Sequence, residues 1–257
     1  MASTLACIGL DVADLDALGT LLEALPAEVV GRTDDEVVTV SYPDPTGARV
    51  VISRRDGVPL DLVPSYAAEP GALLGEVSVT ESGLTRAAVL DDDGRTVTRL
   101  LVDLEQHRQV AAADGPTRLD ASVVALGVEM TVHADEAAFA ASDASRISDE
   151  PGASRWSAES FVSYGLVHEG PDAEPTGFLA GTIVHSLSHR HSVSGQEFHT
   201  VRVRTVGFEA TVCLAASDHP VPPLPGNVVA GSCYLVADVP SLWNVGPQRK
   251  WWQPAPE

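Results

Sequence analysis

The chain has 257 residues, with 16 Lys and Arg against 36 Asp and Glu for a formal charge of −20, and 44% of its residues are hydrophobic. That apolar fraction excludes a disordered chain despite the charge, and no apolar run reaches the ~18 residues a membrane helix needs. Residues 1–175 hold 11 basic and 31 acidic side chains, and residues 176–257 hold five of each. Such a surface repels phosphate backbones and anionic lipid heads, which excludes a membrane partner and disfavours nucleic acid.

Asp14 is the expected N-cap of a first helix, with Leu15, Leu18, Leu21, Leu22 and Leu25 at spacings of three and four and Pro26 ending it. Leu5–Val12 ahead of it alternates and is expected as a strand. Glu36–Tyr42, Ala48–Ser53 and Pro59–Val63 follow as strands, joined by the turns Pro43-Asp44-Pro45-Thr46-Gly47 and Asp56-Gly57. Glu76–Thr80, Thr85–Leu90 and Thr96–Leu104 form a second β region, with Asp91-Asp92-Asp93-Gly94 as a hairpin turn. Ala111–Pro116 is expected as a linker, Ala121–His133 as a long strand, and Asp135–Ala141 as a short helix with its acids at the N-terminal end. Phe161–Val167, Phe178–Leu187, Glu197–Val206, Glu209–Ala215 and Asn227–Val236 complete the strands.

These elements predict an α+β, mostly β protein: a βαβββ unit followed by a small antiparallel barrel or sandwich. The expected parts are an acidic unit with an added hairpin over 1–112, a barrel or sandwich over 117–240, and a Trp/Pro-rich tail over 241–257. Cys7, Cys213 and Cys233 lie in apolar stretches and read as buried free thiols. Met1–Leu10 has no basic segment and meets Asp11, Asp14 and Asp16 at once, so a cytoplasmic location is expected.

Residues 4–64 resemble a half-module of the vicinal-oxygen-chelate (glyoxalase-like) superfamily. The resemblance rests on the expected β-α-β-β-β order, on Gly9-Leu10-Asp11-Val12-Ala13-Asp14 before a helix, and on the Tyr42–Gly47 turn before a strand. Enzymes of that family place His or Glu metal ligands on the first and last strands of each half; the matching positions here hold Cys7 and Ile8, and Leu60, Asp61 and Leu62. Residues 177–239 resemble an OB-fold-like barrel in their hairpin, their glycines and the Pro225–Ser232 strand entry. That resemblance implies an oligonucleotide or sugar ligand, but Arg190, Arg202 and Arg204 stand without the aromatic interleaving such a surface uses.

The densest group of chemically capable residues is His185, His189, His191 and His199 with Glu197. A turn centred on Ser194-Gly195 would pair His189 with His199 and His191 with Glu197. Odd-numbered side chains would then share one face, and three imidazoles there suit a divalent transition metal such as Zn, Ni or Cu. The alternative is a set of polar side chains near a hairpin tip, since no HExxH spacing is present. No other cofactor is implied: the chain lacks GxSxG, GxGxxG and GxxxxGK[ST] motifs. Trp243, Trp251 and Trp252 beside Arg249 and Lys250 form a sticky tail that could pack on its own chain, on a second copy, or on a protein partner. With no nucleophile, base and orienting group set out together, the expected function is a non-catalytic binding or interaction protein; the alternative is a metal-binding protein or metal-dependent enzyme using the His185–His199 hairpin.

Overall fold

The computed structural model describes residues 3–111, 118–148, 150, 153–167, 170 and 172–243. Asp14 starts the first helix, its Oδ1 accepting from the Ala17 N–H at 2.8 Å, and α1 (Leu15–Leu22) buries Leu18 and Leu22. That acceptor satisfies one of the N–H groups a helix N-terminus leaves orphaned. The strand expected over Leu5–Val12 is instead a 3-10 turn at Ala6–Ile8, with all three residues buried. A strand on one core would send every second residue to solvent, whereas consecutive buried residues suit a turn wedged into the interior. Gly9 ends it at φ +75, where a Cβ would also stand 3.0 Å from the Cβ of His191; both facts require glycine.

Next come β1 (Glu28–Arg32), β2 (Val38–Pro43), β3 (Ala48–Arg55) and β4 (Val58–Tyr66), an antiparallel sheet paired in chain order. The order is therefore α-β-β-β-β rather than β-α-β-β-β, with β1 unanticipated. Asp56 and Gly57 both take positive φ, 52° and 80°, in the tight turn from β3 to β4.

The second sheet contains β5 (Ala72–Val79), β6 (Thr85–Leu90), β7 (Thr96–Leu104), β8 (Leu119–His133), β9 (Ser160–Ser163), β10 (Thr176–Arg190), β11 (Glu197–Thr205), β12 (Phe208–Ala215) and β13 (Val228–Asp238). Two short helices accompany it, α2 (His107–Ala111) and α3 (Glu136–Ala141). The protein is thus α+β and mostly β. Strands β8, β12, β11, β10 and β13 pair into a closed ring, and β8, β5, β6, β7 and β13 pair into a second. Strand direction cannot alternate all the way round a ring of five, so each ring contains one parallel pair, β12 with β8 and β7 with β13. A purely antiparallel barrel is therefore ruled out by strand number alone. Closure also removes most exposed edges. Because β5 pairs with β8 and β7 with β13, the sheet runs across the boundary expected near 112–117. Those linker positions lie outside the described residues. One continuous apolar core, including Leu74, Val102, Val123, Leu179, Val203, Val212 and Leu235, fills both rings. Among the described residues no helix is long and apolar enough to cross a membrane.

The four-stranded sheet lies with one face on the ring wall and the other under α1. Strand alternation divides β3 between them: Arg49, Val51 and Ser53 face the wall, while Val50, Ile52 and Arg54 face the helix. On the wall side, Arg49 Nη2 pairs with Glu105 Oε1 and Asp238 Oδ2, both at 2.7 Å, and Ser65 Oγ donates to Glu105. The Glu105 side chain is fully buried, and its Oε2 has no hydrogen-bond partner. Burial raises its pKa from 4.5 to about 7, against the pull of Arg49.

A buried pair broken from one side leaves an uncompensated charge. Arg49→Ala is therefore expected to destabilise the fold by about 3–5 kcal/mol, read by denaturant unfolding. The raised pKa gives a second expectation. The protonated form is favoured in the fold, so the contribution of Glu105 is fully present below pH 4.5 and is lost as pH rises to about 7. Across that window wild type should lose stability relative to Glu105→Gln. A wild type that gains stability relative to Glu105→Gln across that window contradicts this account.

Candidate functional site

The histidine hairpin is built differently from its expected pairing. His191 N donates to Gln196 O and Gly195 N to His191 O, so β10 and β11 close at Arg190 opposite Glu197. His189 then faces Phe198, and His199 faces Ser188. This one-residue shift puts His199 on the opposite face of the sheet from His189. A register break between Ile183 and His185 resets the remaining odd and even positions.

Each member of the group has a separate environment. His199 is buried, with Nε2 on the His219 carbonyl and Nδ1 on Ser188 Oγ, both at 2.9 Å. A carbonyl only accepts, so Nε2 carries the proton and Nδ1 accepts from the serine. His189 Nε2 meets Thr200 Oγ1 at 2.8 Å, and its ring stacks on Phe198 at 4.9 Å between centroids. Burial, followed by repulsion from His199, lowers its pKa. His191 is buried 3.6 Å from Asp44, with the Val193 and Ser194 N–H groups directed at its Nδ1. Burial lowers its pKa too, and those donors suit a neutral ring. His185 is exposed, and Glu197 is exposed and paired with Arg190 at 2.6 Å. Among the described residues no three His, Cys, Asp or Glu side chains are grouped to hold a metal ion.

The hairpin tip instead fastens the layers. Asp44 accepts from the Thr46 and Ser192 N–H groups, each at 2.9 Å, Ser194 Oγ donates to Gly9 O, and the Gln196 amide bonds both backbone groups of Asp11. The Pro43–Gly47 turn thus serves as a socket for the tip. Trp243 is half-buried against the cluster containing Ile8, Val51 and Leu126 on its own chain; Trp251 and Trp252 lie outside the described residues.

A concave site lies elsewhere, between α1 and the helix-facing side of β2–β4. This groove of about 510 Å³ is walled by Leu15, Leu18 and Leu22 from the helix and by Tyr42, Ile52, Leu60 and Leu62 from the sheet. Gly19 lies in its helical wall, and a Cβ there would meet nothing within 4 Å. A hydrogen at that position leaves the groove open. Leu15 is 73% exposed and Leu60 43% exposed, giving the mouth an apolar rim. A larger cavity of about 590 Å³ lies beside His107 and Arg108, but polar loop residues such as Asp34, Asp35, Glu81 and Ser82 dominate its wall.

The chain matches no protein-family model, no curated protein and no solved structure. The groove's polar groups therefore have to be read on their own chemistry.

They are Glu23, Arg54 and Asp61. Asp61 is already paired: Arg108 Nη2 donates to it at 2.6 Å, Ser53 N at 3.2 Å, and His107 Nε2 stands 3.4 Å away. Burial works to raise its pKa, but the bonds from His107 and Arg108 outweigh this and hold the carboxyl far below the usual carboxylate range. Glu23 is exposed at the end of α1. Arg54 differs from both. Its guanidinium lies 5.7 Å from the Tyr42 ring centroid, and its Nε is buried without a hydrogen-bond partner.

Sequence patterning missed this groove because its walls read as ordinary core. One signal was present: Arg54 follows Val50 and Ile52 at the same strand parity, so a cation sits on an apolar face. For the histidines, split faces and separate environments lead to a direct expectation. Excess zinc should leave the melting temperature of the untagged protein unchanged, and His199→Ala should cost about 1–3 kcal/mol with or without zinc, by stranding its partners. A zinc-dependent rise in melting temperature that His199→Ala abolishes contradicts this.

Proposed function

We propose that this chain is a non-catalytic binding protein whose ligand is a small, mainly apolar molecule seated between α1 and β2–β4. The observation that carries the reading is a concave, leucine-walled space whose apolar rim is left open to solvent by Gly19. Its size falls in the ordinary range of ligand pockets, which are mostly apolar with a few placed polar groups. No serine, cysteine or histidine lines the groove, and its half-buried carboxylate, Asp61, is held by Arg108. A wall of this kind provides burial and orientation rather than a nucleophile and base.

Burial of apolar surface sets the affinity scale. Each methylene removed from water is worth about 0.8 kcal/mol, so affinity across a homologous series should rise about fourfold per carbon until the groove is full. Gly19→Leu tests the location. The substitution fills the groove from the helix wall and replaces a poor helix former, so stability should hold or rise by up to about 1 kcal/mol while ligand binding is lost. Isothermal titration and thermal unfolding of the same variant read both effects. Undiminished binding by a stable Gly19→Leu protein refutes the site.

A further inference from the structure

We infer that the groove takes an amphiphilic anion, an apolar chain ending in a carboxylate, with the carboxylate on Arg54. The inference rests on the binding reading above and adds the head group. Arg54 has no carboxylate partner among the described residues: Asp35 takes Arg55, Asp61 takes Arg108, and Glu105 with Asp238 takes Arg49. Its guanidinium packs on the face of Tyr42 and keeps Nε sheltered from water with no acceptor. A buried donor without a partner is costly, and a ligand oxygen brought to it recovers that cost. A guanidinium fork also matches a carboxylate with two parallel bonds, which a single hydroxyl cannot use.

The apolar half of the ligand follows from what lies next to the cation. Ile52 is two residues before Arg54 on the same face of β3, Leu62 faces Ile52 across the ladder, and Leu18 closes the space from α1. A ligand chain running from Arg54 toward these side chains exchanges water for hydrocarbon along its length. Glu23 favours the opposite head group, an alkyl cation, but it is exposed and hydrated, whereas Arg54 carries the sheltered, unsatisfied donor. The body's charge of −20 also repels an incoming anion at long range. Binding therefore depends on the local contact, and a charge change at this one residue is decisive.

The test uses the full chain and the neutral fluorescent probe N-phenyl-1-naphthylamine, displaced in turn by decanoate, decan-1-ol and decyltrimethylammonium. Decanoate is expected to displace the probe about tenfold more tightly than decan-1-ol from wild type. In Arg54→Gln the two should fall within about twofold of each other, with decanoate losing more than decan-1-ol. Because Arg54 has no ion pair among the described residues, its replacement should cost the fold no more than the contact with Tyr42; should the variant fail to fold, Arg54→Lys, which keeps the charge but loses the fork, serves in its place and is expected to fall between wild type and Gln. Equal displacement by decanoate and decan-1-ol in wild type overturns the head group while leaving the groove reading standing. Preference for decyltrimethylammonium does the same and moves the polar contact to Glu23. Failure of the probe and every displacer to bind overturns both.

Discussion

The buried bridge from Arg49 to Glu105 and Asp238 holds the four-stranded sheet to the wall of the paired rings, and the rest of the architecture is arranged around it. Two carboxylates from the ends of β7 and β13 converge on one guanidinium from β3. Gln106 strengthens the junction by donating to Asp238 and accepting from Val239 N. Desolvating three charges is costly, and the geometry must be good to offset it. What the bridge secures is orientation. With Arg49 fixed to the wall, strand alternation sends Val50, Ile52 and Arg54 to the other face, where α1 packs over them.

The groove is therefore a consequence of how one strand is anchored. β3 turns the paired Arg49 and the buried Val51 to the wall, and its other face is apolar with one cation that has no ion pair among the described residues. The hairpin tip at His191–Gln196 secures a second corner of the same layer through Asp44, Gly9 and Asp11. The sheet is held at both places, so the groove walls are set before any ligand arrives. Preorganised walls spare a ligand the cost of ordering them, which favours binding by a small molecule.

Much of the secondary structure was legible in the residues. Asp14 with its leucines at helical spacing, Asp56-Gly57 between alternating runs, and Asp135 before DEAAFAA's remaining residues each carry a local mechanism that tertiary contacts did not override. Leu5–Val12 misled because alternation over a few residues does not distinguish a strand from a buried turn; the close approach of His191 to Gly9 is a long-range fact. The histidine pairing failed for a sharper reason. A change of one residue in the loop reverses every side chain beyond it, and the six-residue His191–Gln196 loop combines its own hydrogen bonds with docking on the distant Asp44. Ring closure, and the parallel pairs it forces, depends on partners far apart in the chain. So does the groove, whose two walls become neighbours only after α1 folds back over β2–β4.

The most direct test of the central claim is an amide chemical-shift map recorded while decanoate is titrated into the protein. The account predicts saturable changes concentrated at Leu18, Gly19, Ile52, Arg54 and Leu62, with the β10–β11 hairpin unaffected. Saturable changes centred on His185, His189 and His199 instead, or none anywhere, would contradict it.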